Sequence, residues 1–335
     1  MSIEITALDY YLPANIVTNS DLKKENPDWD LDGIEKRSGV LERHIACQDE
    51  TALDLAVAAC HNLFDQGSDH FQDIDAIIFC TQSPDHIMPP NSYLLQKRLN
   101  LSEDIIAFDF NLACSGYIYS LSIAHSLIYS QMATKILLIN ADTYSKYINS
   151  KDRSTRVLFG DGAAATIVEK NDREGMIDVA FSSDGGSYEC FYIPAGGCRL
   201  PQSPSTTKEE KDSKGNIRTQ NDIYMDGLSV WAAINSKVPR QIKSILKKNS
   251  ISIVDIDHFF FHQASKLTLE SLIKVLGIDK NKVMINIADK GNTVSASIPI
   301  AMKDALREDI LKRGDLLLLS GFGVGMSYAV MLIKY

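Results

Sequence analysis

The chain has no apolar run long enough to cross a bilayer, no C-x-x-C pair and no surplus of basic residues. A membrane-spanning helix needs about 20 consecutive apolar residues, so none is expected. The opening stretch, Met-Ser-Ile-Glu-Ile-Thr-Ala-Leu-Asp-Tyr, has neither the basic region nor the apolar core of a secretory signal. Together these gaps give cytoplasmic location and no membrane partner as the expectation. The cysteines stand at positions 47, 60, 80, 114, 190 and 198, and no Cys/His group has zinc spacing. No metal site and no disulfide framework are expected in a chain of this kind. The formal net charge of −9 argues against a general binder of nucleic acid or anionic membranes. What remains is ordinary globular material: 335 residues, 45% hydrophobic and 23% charged, enough for one large or two medium domains.

The chain reads as two related halves. Asp73-Ile-Asp-Ala-Ile-Ile-Phe-Cys-Thr-Gln-Ser83 resembles Asp255-Ile-Asp-His-Phe-Phe-Phe-His-Gln-Ala-Ser265. Each follows an amphipathic helical stretch, over 51–66 and 233–248. Phe159-Gly-Asp-Gly-Ala-Ala-Ala-Thr-Ile-Val168 resembles Phe322-Gly-Val-Gly-Met-Ser-Tyr-Ala-Val-Met331 in the same order along the chain. Short, strongly apolar strands are expected at 76–79, 105–110, 136–140, 163–168, 259–261, 283–287, 316–319 and 328–333. Runs apolar on both faces suit sheets covered by helices on both sides, so the fold class is α/β with two similar halves packed as layers. The N-terminal half covers 1–170 and the C-terminal half 223–335. Between them, 171–222 is a connecting segment whose polar, Pro/Ser-rich part, 201–222, reads as an exposed, mobile loop.

Three residues stand out for chemistry. Cys114 lies between a strand over 105–111 and a helix over 117–130. A thiol there meets the positive end of the helix dipole and free backbone N–H groups, which favour the nucleophilic thiolate. The alternative is a buried core cysteine. His262 ends the apolar strand of the second half, where a structural histidine is the bland reading. Asn292 sits in a Gly-Asn-Thr turn, which asparagine also favours for conformational reasons alone. If the halves pack pseudo-symmetrically, the strand ends converge and all three residues surround one cavity. Phe159-Gly160-Asp161-Gly162 lacks the Lys-Ser/Thr of a P-loop and the spacing of a dinucleotide fingerprint, so it reads as a structural turn.

These motifs carry a family resemblance. Arg37-Ser-Gly-Val-Leu-Glu-Arg-His-Ile-Ala46, Ala113-Cys114-Ser115-Gly116, Asp152-Arg153, Phe159-Gly-Asp-Gly-Ala163, Met225-Asp-Gly227, His262-Gln-Ala264, Gly291-Asn-Thr293, Ser297-Ile-Pro299 and the Gly-Phe-Gly-Val-Gly325 turn occur in order over essentially the whole chain. In this set the chain resembles the thiolase-fold condensing enzymes, most closely β-ketoacyl-acyl-carrier-protein synthase III. The resemblance implies a duplicated, five-layered α/β/α/β/α thiolase-like fold, a homodimer and a Cys114-His262-Asn292 triad. It implies a decarboxylating Claisen condensation that starts fatty-acid synthesis, with acyl-CoA and malonyl-acyl carrier protein as substrates and no bound cofactor. Cys114 would carry the acyl group, and His262 and Asn292 would stabilise the enolate left by CO2 loss. The backbone N–H groups of Cys114 and Val324 would form the oxyanion hole. Arg37, Arg153 and Ser265 match CoA-binding positions. Met88 matches a residue that reaches the partner's acyl pocket, and Lys266 and Lys274 are candidates for docking the acyl carrier protein.

The chain departs from the family pattern at named places. Gly33 stands where a tryptophan commonly stacks on the CoA adenine, and Trp29 lies four residues upstream. Ser265 replaces an asparagine that contacts the pantetheine arm. Val324 replaces a glycine, and Met88 a phenylalanine. These changes bear on the acyl donor, so a specialised relative acting in secondary-metabolite or glycan biosynthesis is the main alternative, by condensation or by acyl transfer to oxygen or nitrogen. A hydroxymethylglutaryl-CoA synthase would add a catalytic glutamate that has no convincing counterpart here. A degradative thiolase would need a late cysteine, and none follows Cys198. A catalytically silent partner subunit would tolerate loss of a triad member, yet all three are present.

Overall fold

A computed structural model describes residues 2–64, 73–171 and 175–335. Nine main strands form two sheets. The first sheet contains β1 (Ser2–Tyr11), β2 (Ala76–Cys80), β3 (Ile106–Phe110), β4 (Lys135–Asp142) and β5 (Gly162–Asn171), in the spatial order β1-β5-β4-β2-β3. The second contains β6 (Met176–Ser183), β7 (His258–Phe261), β8 (Leu316–Gly323) and β9 (Ser327–Lys334), in the order β7-β8-β9-β6. Reversed, the second order is β6-β9-β8-β7, and it matches β1-β5-β4-β2 of the first in relative strand direction as well as order. The pairs β2/β4 and β7/β8 are parallel, whereas β4/β5 and β8/β9 are antiparallel. The internal repeat is thus a repeat of topology.

The helices α1 (Ala52–Phe64), α2 (Gly116–Tyr129), α3 (Gly227–Lys248), α4 (Lys266–Leu276) and α5 (Ser297–Arg307) supply the layers. Both α2 and α5 lie between the sheets. Tyr117, Ile118, Leu121, Ile298 and Met302 share one core with Ile78 and Leu138 of the first sheet and Phe260 and Leu319 of the second. The outer face of the first sheet is covered by α1, through Leu55, Ala59 and Leu63. The outer face of the second is covered by α3 and α4, through Val238, Ile242, Leu269 and Leu272. With strands buried on both faces, β2 and β4 need no polar alternation, which explains their continuous apolar runs. The expected helix over 51–66 is seen as α1, and positions 65 and 66 lie outside the described residues.

Two expectations are corrected. The strand expected over 283–287 shrinks to a single bridge between Val283 and Phe259. The side chain of Gln263 takes the ladder's place: its Nε2 donates to Met284 O at 3.1 Å, and its Oε1 accepts from Asn286 N at 3.2 Å. A turn, Ile287–Asp289, follows at once. The segment 201–222 is not a plain solvated loop. Glu210–Lys211 pairs with Ile217–Arg218, and Thr206 and Asn216 are buried. Asp212 closes this hairpin by accepting from the N–H groups of Lys214 and Asn216, each at 2.9 Å, and Gly215 takes the left-handed conformation at φ 86°. Arg218 then pins the hairpin to the N-terminal half through Asp152 at 3.1 Å.

Candidate active site

Cys114 lies on the turn between β3 and α2. The turn is tight because glycines surround it. A Cβ on Gly116 would stand 2.3 Å from Cys80 Sγ, and one on Gly323 would stand 2.8 Å from Cys114 Sγ. Only glycine lets β8 and the start of α2 close on this thiol. Ser115 does not cap α2 through its side chain; its hydroxyl lies 2.8 Å from that of Ser327.

A cavity of about 650 Å³ opens on Cys114. His262 and Asn292 line it too, so the strand ends of both halves converge as the repeat suggested. Gly291, at φ 72°, lets the Asn292 turn pass close to Gly160, and Asn292 is anchored by its N–H to Leu158 O at 2.9 Å. The Asn292 amide is oriented by its neighbours. Its Oδ1 accepts from Val294 N–H at 3.0 Å, so its Nδ2 faces His262 Nε2, 3.4 Å away. Val294 makes this bond from a left-handed backbone, φ 53°. A β-branched residue there carries strain of about 1–3 kcal/mol.

His262 is buried, and its Nδ1 lies 2.7 Å from Ser297 Oγ. Burial pushes its pKa down to about 3, so the ring is neutral near pH 7. For Cys114 burial works against the thiolate that the helix position favours. Burial pushes the thiol up, and the charge of Asp142 adds to this. The N–H groups of Cys114 and Val324 act in the opposite direction without cancelling it.

The remaining candidates fall into three groups. Arg37, Arg153 and Ser265 line the same cavity. The hydroxyl of Ser265 is engaged at the N-terminus of α4, accepting from Thr268 N at 3.2 Å. Val324 lies on a second cavity of about 320 Å³, walled by Gln82, Asn111, Tyr144, Tyr147 and Tyr192. Phe191 borders both cavities. Lys266 and Lys274 are exposed on α4, whose Leu267 faces the larger cavity. Met88 is 80% exposed beside Ile87 at 97%, on the loop after β2. Trp29 packs with Leu22, Leu31 and Val157 in a small core, so it does not stand in for the ring absent at Gly33.

Sequence reasoning passed over Asp142, Val294, Ser297, Lys214 and Trp231. Lys214 and Trp231 line the cavity from the hairpin and from α3. Ser297 opens the Ser297-Ile-Pro299 motif, where nothing in the sequence marks a role for it, and Asp142 at the end of an apolar strand carries no signal at all.

Comparison with known proteins agrees with this architecture. Family models described as 3-oxoacyl-[acyl-carrier-protein] synthase III match residues 108–185, and its C-terminal part matches residues 246–335. A β-ketoacyl-[acyl-carrier-protein] synthase III of Campylobacter fetus is 38% identical over 99% of this chain and 98% of its own. The chain belongs to the β-ketoacyl-ACP synthase III family. A 3-oxoacyl-(acyl-carrier-protein) synthase III crystal structure at 38% identity superposes with a TM-score of 0.97 over the whole of both chains. The priming β-ketosynthase of the R1128 polyketide biosynthetic pathway, at 27% identity, superposes with a TM-score of 0.87 over 99% of this chain and 96% of its own. The fold is therefore the thiolase-like one of this family, and the protein is an acyl-transferring condensing enzyme.

Proposed function

We propose that the protein joins an acyl thioester, delivered as acyl-CoA, to malonyl-acyl carrier protein by decarboxylating condensation, and so starts fatty-acid synthesis. The supporting observation is that Cys114, His262 and Asn292 share one cavity in a chain of this family. In the first stage Cys114 sulfur attacks the acyl carbonyl, CoA leaves as its thiol with the proton of Cys114, and an acyl-cysteine remains. In the second, malonyl-acyl carrier protein loses CO2, and negative charge builds on its thioester oxygen. Asn292 Nδ2–H and His262 Nε2–H donate to that oxygen. The ring suits this task because it is neutral and its Nδ1 faces the Ser297 hydroxyl. The enolate carbon attacks the acyl-cysteine, whose oxyanion is held by the N–H groups of Cys114 and Val324. Collapse expels the Cys114 thiolate, which regains a proton, and releases the β-ketoacyl carrier. Loss of one such donor costs about 10²–10³ in rate.

Arg37 and Arg153 hold the CoA phosphates in this reading, and Lys266 and Lys274 offer local positive charge to an acidic carrier. The working form is a cytoplasmic homodimer in which Met88 enters the partner's acyl pocket. Intact-mass measurement after exposure to acyl-CoA tests the core of the proposal. The acyl mass maps to the Cys114 peptide and is absent in Cys114→Ala. His262→Ala and Asn292→Ala still load but lose condensation by orders of magnitude. Full loading of Cys114→Ala, or near-normal condensation by both other variants, overturns it.

A second reading, a specialised relative loaded by a carrier-bound donor, has one observation in its favour. Gly33 offers no ring and nothing lies within 4 Å of a Cβ built there, while Trp29 is held in a core. A carrier-bound acyl group loading Cys114 much faster than the same acyl-CoA supports this second reading.

A further inference from the structure

Two cavities adjoin the Cys114 turn, and they differ in kind. The larger has the exposed side chains of Arg37 and Lys214 on its wall, and it suits the long arm of a thioester donor. The smaller, of about 320 Å³, is at the low end of ligand-site volumes and suits a short group. Cys114 packs in one cluster with Tyr144, Phe191 and Ile223, and Tyr147 and Val324 pack against that cluster; these five neighbours all wall the smaller cavity. A Cβ on Gly323 would stand 2.8 Å from Cys114 Sγ, and the next two residues, Val324 and Gly325, line the same cavity. With the donor's arm in the larger cavity, an acyl group on Sγ has the smaller one for its tail. The wall there is partly polar. Tyr144 donates to Gln82 Oε1, and Gln82 Nε2 donates to Asn111 Oδ1 at 2.7 Å. Gln82 is anchored from behind by its N–H, which donates to Asp142 at 2.8 Å. Beyond this relay, Asn111 Nδ2 and the hydroxyls of Tyr147 and Tyr192 have no hydrogen-bond partner among the described residues.

We propose that this cavity selects a short acyl group carrying a hydroxyl on its tail, with Asn111, Tyr147 and Tyr192 as the residues that read the hydroxyl and Gln82 as the residue that positions Asn111. The inference rests on the acyl-cysteine of the proposed function and names the class of acyl group it takes; the transfer step itself is unchanged. A plain alkyl tail displaces water from these polar groups and returns no hydrogen bond to them. A hydroxyl accepts from Asn111 Nδ2–H and donates to a tyrosine oxygen, so one substituent answers both kinds of group. Phe191, Ile223 and Val324 supply the apolar wall that the carbons of the tail need. Closed sites built to bind a hydroxyl reject the analogue without it by about 10⁴–10⁵. Here Asn111 is exposed and Tyr147 and Tyr192 are half-buried, so water competes, and the discrimination expected is about tenfold.

The test is the rate at which the Cys114 peptide gains acyl mass from 3-hydroxybutyryl, 4-hydroxybutyryl and butyryl thioesters, which share one carbon count. Each is presented to the full-length protein both as its CoA ester and on a carrier protein. The expected result is that a hydroxylated thioester loads about tenfold faster than butyryl, or more. Tyr147→Phe combined with Tyr192→Phe removes two hydroxyl oxygens and keeps both rings, and it is expected to bring the ratio to within about threefold of unity. Gln82→Met breaks the relay behind Asn111 and is expected to narrow the ratio as well. Equal loading of all three thioesters by the wild type, or faster loading of butyryl, overturns the selectivity and leaves the acyl-cysteine standing. A preference that survives both sets of substitutions belongs to the thioesters themselves and overturns it too. No acyl mass on Cys114 from any thioester overturns the acyl-cysteine, and the selectivity falls with it.

Discussion

Ser297 is placed to set which nitrogen of His262 carries the proton. Gln263 N–H points to Ser297 Oγ at 3.4 Å, and His262 Nδ1 lies 2.7 Å from the same oxygen. A serine hydroxyl that receives the peptide N–H is free to donate its own hydrogen to Nδ1, and this leaves Nε2 protonated toward the cavity, as enolate stabilisation requires. Ser297→Ala removes that control. The expected outcome is a condensation rate lower by about tenfold with acyl loading of Cys114 little changed, measured by separating the two stages in single turnover. Because burial holds His262 near pH 3, its own ionisation contributes no acid limb to the wild-type condensation profile between pH 5 and 8. An equal loss in loading would mean that Ser297 serves the fold alone. The three residues that share the cavity were legible because each has a distinctive local context: a strand-to-helix turn, a strand end, a Gly-Asn turn. The state of the thiol was not legible. Helix position favours the thiolate, but the burial that works against it exists only in three dimensions.

At the scale of elements, the site is made by the closeness of β8 to the Cys114 turn. A Cβ on Gly321 would stand 2.6 Å from Cys114 O, and one on Gly323 would meet both Sγ and Cβ of Cys114, at 2.8 and 2.9 Å. Neither contact can relax cheaply, since the turn is held between the two sheets. Gly323→Ala is therefore expected to fold, with its far-ultraviolet circular dichroism unchanged, and to displace Cys114 by a few tenths of an ångström or more. Misplacement of about 1 Å costs about 10²-fold in well-aligned reactions, so acylation slower by tenfold or more is the expected reading by intact mass. Wild-type acylation in this variant would show that the turn is not braced by β8. Most central strands were readable from apolar runs alone. β1 and β6 were not: both are edge strands, and β1 mixes core residues such as Ile3 and Leu8 with half-buried polar ones, while β6 is mostly half-buried or exposed, so their patterns are weak. The stretch at 283–287 misled for the converse reason. Its apolar residues belong to a true core, but Gln263 supplies the hydrogen bonds that a strand would have made.

For the whole molecule, the two halves are joined by buried charge as well as by the shared apolar layer. Asp9 of β1, 1% exposed, meets Lys303 and Arg307 of α5, each at 2.9 Å. The molecular surface is less complete at one edge. In the first sheet β3 has a neighbour on one side only, and its residues are half-buried, while Ile87 and Met88 stand out on the loop that precedes it. An open strand edge beside protruding apolar side chains calls for a cover, and a second copy supplies one symmetrically. The loop is stiffened by Pro84, Pro89 and Pro90, so little ordering entropy opposes its insertion into a neighbour. A homodimer is thus expected by sedimentation at low micromolar concentration. The insertion matters for specificity if Met88 lines the partner's acyl pocket. Met88→Trp adds volume at that point and is expected to keep the dimer and acetyl loading while lowering the loading of longer acyl groups by about tenfold, read across a chain-length series by intact mass. Its effect scales with chain length only if the side chain meets the acyl tail. A uniform loss across the series would point instead to a damaged interface, and a monomeric wild type would leave the loop with no pocket to enter.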